Sequence, residues 1–193
     1  FRWLDPRLGY WELFGGWLDN DNKYADDDMS ANVGSRWLTG VEHRAQFSDR
    51  WTTEIRYNRV SDSEYIKDLE NSSLSAQRQT ALQQMGRVSW LGNNWLFELE
   101  AEQFQSIAPD ISEQYKKLPQ LTARFIGNRT ILGLEPMFHS QMSRFDSDLN
   151  RVTGDRLFTE VGVAKSMRRT AGFIIPAAKY RSLIYNLDPN PQI

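Results

Sequence analysis

The feature that most constrains this chain is a side-chain alternation with a period of two, repeated along its length. Trp51 to Asn58 reads Trp-Thr-Thr-Glu-Ile-Arg-Tyr-Asn. Trp51, Thr53, Ile55 and Tyr57 fall on one side, and Thr52, Glu54, Arg56 and Asn58 on the other. Successive side chains of a β-strand point to opposite faces, so this pattern specifies a strand with one apolar and one charged face. Trp95, Phe97, Leu99 and Ala101 alternate in the same way with Glu98, Glu100 and Glu102. Leu82, Gly86, Val88 and Trp90 alternate with Gln83, Arg87 and Ser89. Related patterns run through Trp37–Gln46, Gln120–Phe125, Leu132–Gln141, Leu157–Val163 and Ala178–Ile184, with a first one near Gly9–Leu18. Helical periodicity is weak throughout.

The expectation is about nine antiparallel strands of roughly 10–12 residues. A tilted membrane-spanning strand needs roughly 9–11 residues, whereas soluble strands run nearer 5–6. The connections alternate in length. Short ones are expected at Ser48–Arg50, Gly92–Asn94, Gly127–Arg129 and Arg168–Gly172, and long ones at Asp19–Ser35, Ser61–Arg78, Ile107–Lys117 and Asp146–Gly154. Outer-membrane barrels have short periplasmic turns and long extracellular loops. Phe47, Trp51, Trp90, Trp95 and Phe125 lie beside the short turns, as interfacial aromatics do. The fold expected is an all-β, antiparallel up-and-down transmembrane barrel segment. A soluble meander or two-sheet sandwich, serving as a binding module, is the alternative.

Composition fits the membrane reading. Mean hydropathy is −0.60, yet the chain holds 7 Trp, 7 Tyr and 10 Phe in 193 residues. A barrel gives this combination because half of each strand faces a polar lumen. The net charge of −2 offers no basic excess for nucleic acid. Cysteine is absent, which leaves no disulfide framework or thiolate site in this segment. Outer-membrane proteins are made with a signal sequence, so residues are expected to precede Phe1. An odd strand count does not close a bacterial barrel, and Asp188-Pro189-Asn190-Pro191 reads as the start of another long loop. The whole of 1–193 is therefore expected to be part of one barrel domain, an arc of its wall.

No catalytic constellation is present in the sequence. Glu98, Glu100 and Glu102 neighbour one another on a wet wall and do not converge on a substrate bond. His43 and His139, the two histidines, lack triad or metal-ligand spacing. His43 falls on the apolar face of its strand, an awkward place for an ionisable group. Asp19, Asp21 and Asp26–Asp28 form an acidic loop. Its ordinary reading is a solvated loop, and its sharper one is contact with divalent cations at the outer-membrane surface. No enzyme activity, cofactor or metal site is expected. Glu54, Arg56, Arg87, Glu98, Glu100, Glu102, Arg124, Glu135, Lys179 and Arg181 are expected to face the lumen, as hydrated cross-strand pairs or as contacts for a partner held there. Pro136 and Pro176 are expected to mark bulges, since proline removes a ladder donor.

Several stretches are more specific than the alternation. Tyr57-Asn58-Arg59-Val60-Ser61-Asp62 is followed by Tyr65-Ile66-Lys67-Asp68-Leu69, then by Gly92-Asn93-Asn94-Trp95, Ala108-Pro109-Asp110-Ile111 and Gln114-Tyr115-Lys116-Lys117-Leu118-Pro119-Gln120-Leu121. In this order and spacing they resemble the barrel domain of the LptD family, the outer-membrane LPS-assembly or organic solvent tolerance proteins. The likeness covers nearly the whole chain, most clearly residues 35–185. The resemblance implies an early-to-middle portion of a roughly 26-strand barrel. It implies the lipoprotein LptE in the lumen, lipopolysaccharide arriving over the periplasmic LptA bridge, and release through a lateral gate outside this chain. The family's periplasmic jelly roll and its disulfide cysteines are absent from this sequence. A porin-like diffusion channel is the alternative function. Co-purification of a lumen-filling lipoprotein separates the two.

Overall fold

The computed structural model describes residues 1–19, 35–62, 65–68, 81–107, 115–126, 130–147 and 152–189. Their main feature is one continuous antiparallel meander. Its strands are β1 (Arg2–Asp5), β2 (Gly9–Leu18), β3 (Arg36–Gln46), β4 (Trp51–Val60), β5 (Ala81–Leu91), β6 (Trp95–Ser106), β7 (Lys116–Phe125), β8 (Glu135–Asp146) and β9 (Gly154–Ala164). A small hairpin, β10 (Met167–Arg169) with β11 (Gly172–Ile174), precedes the last long strand, β12 (Ala177–Leu187). The large sheet has ten strands in the order β1-β2-β3-β4-β5-β6-β7-β8-β9-β12, and it is open. β1 and β12 each have one neighbour, so each presents a free ladder edge. Among the described residues the sole helix is a single turn, α1 (Tyr65–Asp68).

The register carries the alternation across the sheet. Arg44, Glu54, Arg87, Glu100 and Gln120 are successive partners in β3 to β7. One step along, Thr53, Val88, Leu99 and Leu121 are successive partners in β4 to β7. The first row is polar and the second apolar. Because a one-residue slip would reverse every side chain, the pattern pins the register. The apolar side is open to the surroundings: Ile55, Val88, Phe97, Leu99, Leu121, Met142, Val161 and Ile184 are all exposed. On β6 it runs from Trp95 to Ala101, and glutamine takes over at Gln103. Those six steps cover about 20 Å of strand at roughly 3.4 Å each. A tilt of roughly 40° reduces that to about 16 Å, which fits within the lipid-facing band of a barrel, about 25 Å tall.

Four expectations need correction. The sheet has ten strands rather than about nine, because the four-residue β1 is too short to show alternation. Residues 168–172 are not a short turn between long strands; they form most of the β10–β11 hairpin inside the connection 165–176. Leu132 and Leu134 are not in a strand. They sit in a tight turn, where Ile131 and Leu134 exchange backbone hydrogen bonds at 2.8 and 3.0 Å. Connection lengths therefore alternate strictly only as far as β6. Finally, neither Pro136 nor Pro176 makes a bulge. Pro136 pairs with Val163 in an unbroken β8–β9 register, and Pro176 precedes β12. The irregularity lies at Leu118-Pro119, where the register shifts against both β6 and β8. Proline lacks the ladder N–H there, and the extra residue keeps Lys117 and Gln120 on the same face.

Candidate functional site

The charged face of the sheet is the candidate site. Its centre is a chain of ion pairs crossing five strands. Glu54 of β4 accepts from Arg56 at 2.6 Å and is flanked by Arg44 and Arg87, each at 3.5 Å. Arg87 of β5 donates to Glu100 of β6 through Nε at 2.8 Å and Nη2 at 2.5 Å. Lys117 of β7 approaches Glu100 at 3.9 Å and donates to Glu102, which also accepts from Gln83 at 2.6 Å. Each carboxylate lies opposite or diagonal to a cation on the neighbouring strand, the pairing that stabilises a sheet face by about 0.2–1 kcal/mol per pair.

The predicted inner-face residues fall into three groups and one outlier. Glu54, Arg56, Arg87, Glu100 and Glu102 belong to the central network. Glu98, Arg124 and His139 line a neighbouring concavity of about 280 Å³ with Thr122 and Gln141. Lys179 and Arg181 of β12 donate to Glu160 of β9 at 3.1 and 2.5 Å. Glu135 stands apart at the start of β8, opposite Ala164. A larger concavity of about 910 Å³ lies over β2–β6, with Tyr10, Arg44, Glu54, Arg56, Arg87 and Glu98 in its lining.

The five predicted interfacial aromatics lie at the turn end of the sheet. Trp51 is the register partner of Trp90, and Trp95 of Phe125. The Trp95 ring centroid lies 5.3 Å from Phe125, 5.4 Å from Phe138 and 5.8 Å from Phe97. Phe97 and Phe138 thus join a cluster that sequence reading assigned to residues flanking the turns. A Cβ at Gly92 would stand 2.4 Å from the Trp90 ring, so a larger residue there would displace that ring. Phe47 is exposed beside this cluster and donates its N–H to the Trp51 carbonyl at 3.0 Å.

His43 does occupy the apolar side, as register partner of Trp11 and Ile55, but it is 3% exposed. Nδ1 lies 3.1 Å from the Tyr10 carbonyl, and Nε2 3.1 Å from the Thr53 hydroxyl. A carbonyl can only accept, so Nδ1 carries a proton; Nε2 can then accept from Thr53. The ring stacks on Trp11 at 3.9 Å. Both nitrogens are thus satisfied within the wall, and the imidazole can sit on this face without a charge.

The opposite end of the sheet is built differently. Arg36, 4% exposed, holds Asp62 in a two-pronged pair at 2.8 and 3.0 Å. Ser61 donates to Asp62 at 2.7 Å and accepts from the Trp37 N–H at 3.0 Å. Burial pushes the Asp62 carboxyl up, but the hydrogen bonds from Arg36 and Ser61 outweigh it and hold the group below the usual carboxylate range. The Arg36 guanidinium also lies 5.7 Å from the centre of the Tyr65 ring. Tyr65 and Ile66 of α1 are buried with Val60, Leu82 and Ile107, against Leu38. Through α1, the chain after β4 packs back onto the wall.

Beneath α1 the β4–β5 ladder ends at Tyr57–Gln84, although both strands continue. Side-chain amides take its place. Gln105 of β6 donates to the Val60 carbonyl at 2.8 Å and accepts from the Val60 N–H at 3.0 Å. Gln84 donates to the Asn58 carbonyl at 3.2 Å, and Gln103 donates to Gln84 at 2.7 Å. Sequence reading singled out the Tyr57–Asp62 stretch as specific without giving a reason. The structure supplies one: this stretch holds the backbone groups that Gln84 and Gln105 bind, and the carboxylate that Arg36 grips. Of the acidic loop, residues 20–34 lie outside the described residues.

Comparison with known proteins finds the chain similar in sequence to LPS-assembly proteins. The family model of LPS transport system D, LptD, matches residues 34–192. The LPS-assembly protein LptD of Alkalilimnicola ehrlichii is 30% identical over 191 residues, covering 97% of this chain and 24% of the relative. The LptD proteins of Saccharophagus degradans and Vibrio cholerae are 29% and 28% identical, covering 93% and 96% of the chain and 23% and 24% of themselves. The chain thus spans about a quarter of the length of these relatives.

Proposed function

Given that the chain belongs to the LptD family, we propose that it is an arc of the wall of an outer-membrane barrel that inserts lipopolysaccharide into the outer leaflet. The observation that carries this reading is the two-faced sheet. One face is an exposed apolar belt bordered by an aromatic cluster, and the other is an ion-paired polar wall. An apolar surface of this extent calls for lipid. The free edges of β1 and β12 call for further strands, because an unpaired ladder edge is not stable in a membrane. In this reading 1–193 is part of one barrel domain, and a periplasmic jelly roll and the remaining strands belong to the whole protein.

The polar wall then faces a lumen that holds the lipoprotein LptE. Glu54, Arg56, Arg87, Glu98, Glu100, Glu102, Arg124, Glu135, Lys179 and Arg181 are its candidate contacts. Lipopolysaccharide reaches the barrel from the periplasm over the LptA bridge. The turn end, with Trp51, Trp90 and Trp95, faces the periplasm, and the loop end faces outward. The wall's own work is to keep a lipid-tight exterior and a hydrated interior.

The test is purification of the full-length protein from its native membrane in mild detergent. The reading expects a lipoprotein to co-purify at equal stoichiometry and to block ion conductance in planar bilayers. A protein that runs alone and conducts ions freely contradicts it and favours a porin-like channel.

A further inference from the structure

Two connections at the turn end do not look like ordinary barrel turns. The first is Ile131-Leu132-Gly133-Leu134. Leu132 and Gly133 have φ of +54° and +78°, which matches a tight hairpin turn with two left-handed residues. The first of those positions favours Asn, Asp or Gly. Leucine there costs about 1–2 kcal/mol. Its side chain is also 97% exposed, so the strain gains nothing within the wall. A strained residue with no internal use points to an external one.

The second is the connection 165–176, which carries β10 and β11. Phe173 and Ile174 are 72% and 70% exposed, and Met167 and Ile175 are exposed beside them. Lys165, Arg168 and Arg169 are the charged residues of this connection, and it has no acid. The two features are neighbours. Glu135, which follows Leu134, is the register partner of Ala164, which precedes Lys165. They lie at the same end of the sheet as the aromatic cluster. Exposed bulky apolar side chains combined with basic ones, beside a lipid-facing belt, are the features of a segment lying in the interface of an anionic bilayer.

We propose that these neighbouring turns form an interfacial anchor, in which Leu132, Phe173 and Ile174 insert among the headgroups of an anionic phospholipid leaflet while Arg168 and Arg169 bind its phosphates. This rests on the membrane-wall reading above. It adds a place where the barrel grips the leaflet on its turn side, below the spanning strands. The guanidinium groups reach phosphate while their stems lie along the apolar tip.

The experiment uses the full-length protein with its lumenal partner, in bilayers of phosphatidylethanolamine with or without phosphatidylglycerol. An environment-sensitive fluorophore is placed at Phe173→Cys and, separately, at Leu99→Cys on the mid-belt. Both probes are expected to be quenched by spin-labelled lipid, the one at 173 by labels near the headgroup. Arg168→Gln with Arg169→Gln is expected to lower the leaflet-to-water ratio of the 173 probe about tenfold or more, as loss of two basic contacts to an anionic surface does. Leu132→Asn suits the left-handed backbone. It is expected to keep or raise the melting temperature and to reduce lipid quenching at 173. A 173 probe quenched by aqueous iodide regardless of lipid charge overturns the anchor, as does one shielded from both quenchers by protein. Unchanged quenching in Leu132→Asn overturns the two-turn form of the anchor. If the 99 probe is in lipid in these cases, the membrane wall stands without the anchor. If the 99 probe is in water, the wall reading fails.

Discussion

The two ends of this sheet solve different problems with different chemistry. The connections at the turn end carry Arg7, Arg50, Arg129, Lys165, Arg168 and Arg169 against a single acid, Asp49. Those at the loop end carry twelve carboxylates against four basic residues. The turn end packs aromatic rings on the outside and exposes apolar tips. The loop end buries an Arg36–Asp62 pair and seals a gap between β4 and β5 with glutamine amides. Polar groups organise one end, and apolar ones the other. A soluble sandwich has no reason to treat its ends so differently. A wall with its turn end in a phospholipid leaflet, as proposed above, does.

Substitutions should separate the faces and ends in a definite order of effect. The largest belongs to the belt between the ends. Leu99→Arg places a charge near mid-belt and should cost about 2–4 kcal/mol. Thr122→Arg, on the polar face between Glu98 and Gln141, should change stability by less than about 1 kcal/mol. Urea unfolding of the full barrel in bilayers checks this, and equal costs would remove the distinction between the faces.

Next in size is the pair at the loop end. Arg36→Ala leaves Asp62 without its main partner, a loss of about 3 kcal/mol for a pair this buried. The loss should appear as protease cutting within 61–80. The same pair gives a pH dependence. A carboxyl held below its unfolded value contributes stability that is fully present above that value, near 4, and is lost as pH falls through the folded value. Protection of 61–80 should therefore be flat at neutral pH and decline in acid. Asp62→Asn should abolish that dependence, while the turn end should show none of it.

Gln105→Ala comes third. It removes two hydrogen bonds to Val60 and should cost about 1–3 kcal/mol, read as faster amide exchange at Val60. Gln105→Glu keeps the acceptor but sets a carboxylate oxygen against the Val60 carbonyl, so at neutral pH it should cost at least as much as the alanine. The smallest effect belongs to the inner wall. Glu54→Gln loosens partly exposed pairs with Arg56 and Arg87 and should cost less than about 1 kcal/mol, an effect that salt suppresses.

What was readable in advance follows from how far each feature reaches along the chain. β4 and β6 are legible because alternation is local: each residue's face depends on its strand neighbours alone. The position of Trp51, Trp90, Trp95 and Phe125 at one end of the sheet follows from the same local pattern. The Gln105 clamp was not, because Gln105 and Val60 lie 45 residues apart and an amide replacing a ladder rung has no local signature. The bulge was misplaced because all prolines look alike in sequence, and the one that shifts the register is decided by strands on both sides. Leu132 and Leu134 read as strand because they continue the alternation of β8, and only Gly133 hints at a turn. The polar wall was legible as a set of residues, but its division into a central network, the Glu98–Arg124–His139 concavity and the Glu160 cluster follows from register alone.

The central claim is that one face of the sheet meets lipid and the other an aqueous interior. It is tested most directly by scanning β6 from Trp95 to Ser106 with single spin labels, in the full-length protein in bilayers. Collision with oxygen, which concentrates in lipid, is compared with collision with a water-soluble nickel chelate. The account predicts strict alternation: oxygen dominates at Phe97, Leu99 and Ala101, and falls sharply at Glu98, Glu100 and Glu102, where the chelate or a lumenal partner takes its place. Equal chelate access on both faces, or an alternation with the opposite sense, would contradict it.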